Sequence, residues 1–345
     1  MLDGWIARRI GCGGELTRAA LEAWQLARLN ETVEWARANS AFYRERLPAG
    51  RLTSLAQITS LPFTTPEDLR TNGTRMLCVS LREIERVVTL ATSGSTGAPK
   101  RIFFTREEQE STIEYFRYGI AEFVFPGERV MSLFPGRSPG SLNDLLSQAL
   151  RRLGAEPLVF GFPTQERYEE LLNDILERKV DFLVGAAETV AAVARLSRQM
   201  EIAPQLAKQV RGVLLAAAFV SKADRSEIEQ TWDCRVDEHY SMTETAFAGA
   251  VGCPTPGGYH VWESDLYYEI IDPTSGEVQP DGVRGEIVVT TLSRKAMPMV
   301  RYRTGDFSRF LPGDCPCGST LRRLGRVEKR MEPKVFSERR VTRDL

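Results

Sequence analysis

The chain has no surplus of either charge: 45 Lys and Arg stand against 46 Asp and Glu, a formal net charge of −1 over 345 residues. That balance argues against nucleic-acid binding through bulk electrostatics, and the pairs Arg151-Arg152 and Arg339-Arg340 read as solvated faces. No stretch approaches the roughly 20 apolar residues of a membrane helix. The longest apolar run, Val213 to Val220, reads as a buried strand. The start, Met1-Leu2-Asp3-Gly4-Trp5, lacks a basic segment leading into an apolar one, so no secretory signal is expected and the cytoplasm is the default compartment. Six cysteines do not suggest a disulfide scaffold at this length. There are only two histidines, and neither internal repeats nor low-complexity segments. At 42% hydrophobic and 26% charged, the chain is an ordinary globular one with a sizeable core, with room for two or three domains or one large lobed domain.

The patterning alternates. Residues 15–46 read as a helix ended by Pro48 and Gly50, and Thr105 with Glu108 has the form of a capping box opening a helix to about Phe123. Strands are then expected at 130–134, 157–160, 182–184, 213–216 and 235–240. Helices are expected between them at 142–153, 166–179, 188–200 and 222–232. This is α/β layering around a largely parallel sheet. Beyond Cys253 the pattern turns to strands at 266–271, 286–291 and 299–303, a β-rich lobe.

The densest chemistry lies in Thr92-Ser93-Gly94-Ser95-Thr96-Gly97-Ala98-Pro99-Lys100, which follows the apolar run Val87 to Ala91. Glycines permit close backbone approach, successive N–H groups can form a concave anion site, and Lys100 adds a mobile cation. The spacing is not that of a Walker A loop. A flexible linker is the alternative, but the segment is short and runs at once into Ile102-Phe103-Phe104. It reads as a phosphate cradle.

Three further segments carry nucleotide-site residues. Tyr240-Ser241-Met242-Thr243-Glu244 stands at a strand end, where ligands of open α/β sheets bind; it offers an aromatic face, hydroxyls and a hard oxygen for Mg²⁺. Each alone would pass for packing and surface. Tyr302-Arg303-Thr304-Gly305-Asp306 places a carboxylate suited to a ribose diol, or forms a simple Gly-Asp turn. Gly325-Arg326-Val327-Glu328 is the last. Separately, Cys253 and His260 with Cys315-Pro316-Cys317-Gly318 make a Cys₃His set of zinc-knuckle form, against the alternative of small apolar cysteines. Cys12, Cys78 and Cys234 read as structural, and His239 as a packed histidine at a strand end.

Together the four segments resemble the adenylate-forming superfamily of acyl-CoA synthetases, adenylation domains and luciferases, most of all phenylacetate-CoA ligase-like enzymes, over about residues 85–330. The resemblance implies an α/β fold, the large N-terminal domain of such an enzyme, with layered sheets and a β-rich lobe. It divides the chain into a helical region 1–84, a nucleotide- and acyl-binding core 85–252, the lobe 253–325 with its zinc site, and a hinge with a shortened C-terminus, 326–345. It implies that Ser93, Gly94, Ser95, Thr96, Gly97 and Lys100 hold the ATP phosphates. Thr243 would meet the α-phosphate, Glu244 Mg²⁺ and Tyr240 adenine, with Ser241 beside them. Asp306 would bind the ribose, helped by Arg326. Lys100, Thr243 and Glu244 would be the catalytic residues. The hinge position, usually Asp, is Glu328. Segments 134–136, 185–187 and 246–247 would build the acyl pocket, and Ala216-Ala217-Ala218 would flank adenine. A Cys/His arrangement like that of Cys253, His260, Cys315 and Cys317 occurs in some relatives.

The implied reaction makes an acyl-adenylate from ATP and a carboxylic acid, aryl or small acyl, and then a thioester with coenzyme A. Partners are these small molecules, with no nucleic acid and no membrane. A lid of on the order of 100 residues would follow the hinge, whereas 17 residues follow Glu328. The lid and its lysine are therefore expected to be missing, whether by truncation, because the protein is naturally short, or because a separate polypeptide or a homo-oligomer supplies them. Two other readings stay open: transfer of the acyl group to a carrier or another nucleophile, and a nucleotide-binding module without full turnover.

Overall fold

Serine and threonine set where the N-terminal helices stop and start. The structure, a computed structural model, describes residues 2–90, 99–136, 138–216, 219–253, 255 and 257–328. Helix α1 is Leu2–Arg9. The stretch expected as one helix over 15–46 is two, α2 (Arg18–Asn39) and α3 (Ala41–Arg46), because Ser40 leaves helical geometry and its hydroxyl accepts the N–H of Tyr43. Helix α4 (Pro66–Asn72) has a Thr65/Asp68 capping box and a proline in its first turn. Strands β1 (Ile84–Leu90) and β2 (Lys100–Thr105) pair antiparallel and flank the expected phosphate loop. Ser93, Gly94, Ser95, Thr96 and Gly97 of that loop lie outside the described residues. Helix α5 (Arg106–Ile120) starts at the expected Thr105/Glu108 capping box.

The α/β alternation follows the sequence pattern closely: β3 (Arg129–Ser132), α6 (Leu142–Leu153), β4 (Glu156–Val159), α7 (Tyr168–Glu177), β5 (Phe182–Gly185), α8 (Ala187–Gln199), α9 (Ala203–Gln209), β6 (Gly212–Leu215), α10 (Lys222–Trp232) and β7 (Arg235–Ser241). Strands β4-β3-β5-β6-β7 lie parallel in that spatial order. Successive side chains of a strand point to opposite faces. Accordingly Met131, Leu183, Val213 and Leu215 join α7, α8, α9 and α10 in one apolar core, while Val130, Phe182, Val184 and Leu214 face the other. The chain steps from β3 to β4, then back past β3 to β5, so the crevice where winding reverses lies beyond the carboxyl ends of β3 and β5.

Strands β8 (Gly249–Gly252) and β9 (Tyr259–Val261) continue this sheet antiparallel; both are short, and β8 begins and ends in glycine, so neither shows as a strand in the sequence. A separate antiparallel sheet holds β10 (Leu266–Ile271), β11 (Gly285–Thr291) and β12 (Tyr302–Ser308). The strand expected at 299–303 is displaced to β12 because Arg301 takes a left-handed φ of 47° that a strand cannot continue through. Strand β13 (Arg323–Leu324) returns to pair with β9. Among the described residues no helix is long and apolar enough to cross a membrane.

The N-terminal helices are sewn onto this second sheet by buried bonds. Tyr43 Oη donates to the Pro298 carbonyl at 3.0 Å, and Arg301, paired with Glu269 at 2.8 Å, donates to the carbonyls of Thr59 and Leu61. Glu108 is buried beside Arg294 and accepts the N–H groups of Lys295 and Ala296 at 2.8 and 3.0 Å. Burial alone would raise its carboxyl, but Arg294 and the N–H groups of Ala296 and Thr105 outweigh it and hold the group below its ordinary range. Its neighbour Cys78, pushed up to about 12 by burial and by Glu108 itself, stays neutral across the acid range. A lowered folded value means the stability is whole above the ordinary glutamate value of about 4.3 and is lost as pH falls through the folded one. Glu108→Gln is expected to cost about 3–5 kcal/mol at neutral pH, leaving Arg294 buried and unpaired. It should also flatten the acid limb of Tm against pH; an unchanged acid limb would contradict this.

Candidate active site

The carboxyl end of β7 is held tightly to β8. A Cβ on Gly249 would stand 1.9 Å from the Tyr240 carbonyl, so only glycine allows this approach. Past Ser241 the chain makes a short turn, Thr243–Thr245, and then two left-handed residues, Ala246 (φ 57°) and Phe247 (φ 61°). Such conformations are costly without glycine and need support from the surroundings. Glu244 is buried at the centre of this turn, while Thr243 is half-buried.

Two pairs of sequence-predicted residues meet here. Lys100 Nζ lies 2.5 Å from Glu244 Oε1, and the same oxygen accepts the Tyr302 hydroxyl at 3.1 Å. Burial would raise the Glu244 carboxyl, but Lys100 and these hydrogen bonds hold it below the usual carboxylate range. The Tyr240 hydroxyl donates to Asp306 Oδ2 at 2.9 Å. Burial and Asp306 push that hydroxyl well above its ordinary value, so it remains a donor. Asp306 is aimed by Gly305, whose φ of 74° falls in the register shift between β11 and β12. Since Tyr302 and Asp306 share β12, one strand touches both pairs.

Arg326 extends to Glu238 at 3.4 Å. Glu238 also accepts from Arg225 and from the Tyr259 hydroxyl, at 2.7 and 2.6 Å. Ser308 Oγ donates to the Gly325 carbonyl and Glu328 N–H to the Phe307 carbonyl, fixing this last segment along β12. Glu328 pairs with Arg284 and, at 3.7 Å, with Arg309. Ser241 is set by its register opposite Gly249. Burial brings His239 down to about 4, so it is a neutral imidazole at pH 7.

Segments 134–136 and 185–187 flank the crevice where the sheet reverses, and Phe247 stacks near Phe104 and Phe116 with ring centroids 6.4 and 6.0 Å apart. Of the segment expected to flank adenine, Ala216 is buried and Ala217 and Ala218 lie outside the described residues. Sequence reasoning missed the grip of Tyr302 on Glu244, although its motif was in view, and the Glu238 partner of Arg326, itself held by Tyr259, for which no motif exists.

The four residues of the Cys₃His set come together from three segments. Their ligand atoms all lie within 4.8 Å of one another. Cys253 Sγ is 3.4 Å from Cys315 Sγ, and His260 Nε2 is 3.2 Å from Cys317 Sγ. A disulfide needs about 2.05 Å, whereas sulfurs at about 2.3 Å from a tetrahedral zinc stand roughly 3.7 Å apart. The Thr255 N–H points at Cys253 Sγ, 3.3 Å away.

Residues 61–293 match the model of the family described as AMP-binding enzyme. The chain belongs to that family. This AMP-binding enzyme is 32% identical to a phenylacetate-coenzyme A ligase of Pseudomonas putida over 327 residues, which is 92% of this chain and 72% of the relative. It is 28% identical to a phenylacetate-coenzyme A ligase of Escherichia coli over a similar span. Its fold is that of a 2-hydroxyisobutyryl-CoA ligase solved with 2-HIB-AMP and CoA, with a TM-score of 0.82, 22% identity, and coverage of 92% of this chain and 70% of that one.

Proposed function

We propose that this AMP-binding enzyme activates a carboxylic acid with ATP and passes the acyl group to coenzyme A. The observation that carries the reading is the Lys100–Glu244 pair at the carboxyl end of β7, beside the Tyr240–Asp306 pair, in a chain related to coenzyme A ligases. A carboxylate must first gain a leaving group. Its oxygen attacks the α-phosphorus of ATP, the bond to the β-phosphate breaks, and pyrophosphate departs with the electron pair. The thiolate of coenzyme A then attacks the acyl carbon and AMP leaves.

The residues divide this work by charge. Lys100 and Glu244 neutralise one another without nucleotide. With ATP, Lys100 turns to the phosphates, joined by Ser93, Gly94, Ser95, Thr96 and Gly97, and stabilises charge that grows on the departing oxygens. Glu244 is a buried hard-oxygen donor and fits Mg²⁺. When bound, Mg²⁺ would neutralise phosphate charge. Thr243 offers a hydroxyl to the α-phosphate, Tyr240 and Ser241 border the base, and Asp306 with Arg326 takes the ribose. The acid's tail lies in the crevice between β3 and β5 near Phe134, Gly185 and Phe247. This apolar, aromatic wall and the named substrate of the relatives favour an aryl acid, and the setting is the cytoplasm.

Cys253, His260, Cys315 and Cys317 hold a structural zinc in the same proposal. With ATP, Mg²⁺, coenzyme A and a set of aryl acids, the protein should yield an acyl-CoA and one AMP per thioester by mass spectrometry. ADP in place of AMP would overturn the reading.

A further inference from the structure

Arg294, in the segment between β11 and β12, is 4% exposed and carries its charge into the interior. Its guanidinium reaches three separate elements. Nη1 donates to the carbonyl of Glu244 at 2.9 Å, and Nη2 donates to the carbonyl of Phe103 on β2, three residues past Lys100. Nε and Nη2 face the Glu108 carboxylate on α5 at 3.4 and 3.3 Å. The guanidinium also lies over the Phe104 ring at 4.8 Å. Glu108 in turn accepts the N–H groups of Lys295 and Ala296, the two residues after the arginine, so the arginine's own segment is locked.

The strand bearing Lys100 and the turn bearing Glu244 thus share a buried tie besides their own ion pair. That turn needs a tie, since it runs into two left-handed residues. The Ala246 carbonyl is held by the Thr112 hydroxyl at 2.9 Å, and the Glu244 carbonyl by Arg294. A rigid planar fork suits three acceptors held at once; a lysine would be a single point charge.

We propose that Arg294, locked by Glu108, is a positioning residue that sets the spacing of Lys100 and Glu244 for Mg²⁺-ATP. This rests on the function proposed above. The test is Mg²⁺-ATP titration of the full chain by calorimetry, well below Tm, for wild type, Arg294→Met, Arg294→Lys, Lys100→Met and the double variant Arg294→Met/Lys100→Met. Arg294→Met should weaken binding about tenfold, the scale of one charge-assisted hydrogen bond, and Arg294→Lys should fall between. In the Lys100→Met background the same change should matter less than about twofold, because its effect runs through that pair. If Arg294→Met lowers Tm but binds Mg²⁺-ATP as wild type does, the residue is only structural and the proposal falls; effects that add in the double variant overturn it equally. Should Arg294→Met not fold, Arg294→Lys decides, and wild-type affinity there overturns the proposal. Wild-type protein that binds no nucleotide overturns the functional reading itself and this inference with it.

Discussion

Lys100→Met is expected to lower ATP–pyrophosphate exchange by about 100- to 1000-fold, the usual cost of removing one preorganised partner of developing charge. The lysine Nζ stands 2.5 Å from Glu244, with side-chain exposures of 15% and 5%, so the pair is shielded from water. Its removal acts twice. The phosphates lose a cation in a low-dielectric site, where such a charge is worth more than in water. Glu244 loses its partner, a change that costs about 3–5 kcal/mol when a buried charge is left unpaired. A thermal melt separates the two effects. A variant that folds at the assay temperature yet exchanges at under about one hundredth of the wild-type rate supports the role of Lys100. Exchange within threefold of wild type would remove Lys100 from the reaction. Lys100→Arg, which keeps the charge, should lose less.

Removal of the proposed zinc should have the largest effect on stability. Purified protein is expected to carry close to one equivalent, and fewer than about half an equivalent would count against the site. Strand β13 has two residues and β9 three, too few to hold their pairing alone. His260 sits in β9 opposite Arg323, and Cys315 and Cys317 lie in the segment that leads into β13. A metal held by these residues therefore joins the two strands, and Gly325 and Arg326 follow at once. Cys317→Ser or prolonged chelation should cost at least about 4 kcal/mol, the range of lost metal sites. The loss should appear as a lower Tm and as earlier proteolysis between residues 253 and 325. A chelated protein with unchanged Tm would leave the cluster as four thiol and imidazole groups without a structural task.

Much of this molecule was legible in its sequence because local chemistry and tertiary placement agree. The Thr105/Glu108 capping box opens a helix, helices 142–153 and 222–232 have the bounds their patterns suggest, and strands 266–271 and 286–291 fall almost where expected. The sequence assigns Lys100 and Glu244, 144 residues apart, to one nucleotide site, because a phosphate cradle and a strand-end carboxylate belong to one chemistry, but their direct ion pair is not legible in it. The Cys₃His set could be grouped because Cys-x-Cys-Gly is hard to explain as packing. What stayed hidden depends on distance in the chain without a motif. Arg294 meets Glu108 across 186 residues, and nothing in a Leu-Ser-Arg-Lys segment announces a buried cation. Arg326 goes to Glu238, which no spacing suggests. The shift of the last strand from 299–303 to Tyr302–Ser308 turns on one left-handed residue, Arg301, whose conformation is imposed by Glu269 and the carbonyls at 59 and 61.

In the proposed function this site joins a carboxylate to the α-phosphate of ATP. The most direct measurement is acid-dependent exchange of labelled pyrophosphate into ATP across a panel of carboxylic acids, without coenzyme A. Exchange is expected to require Mg²⁺ and an acid, to be greatest with an aryl acid, and to collapse in Lys100→Met. Measurable ATP binding with no exchange for any acid in the panel would contradict the proposed function.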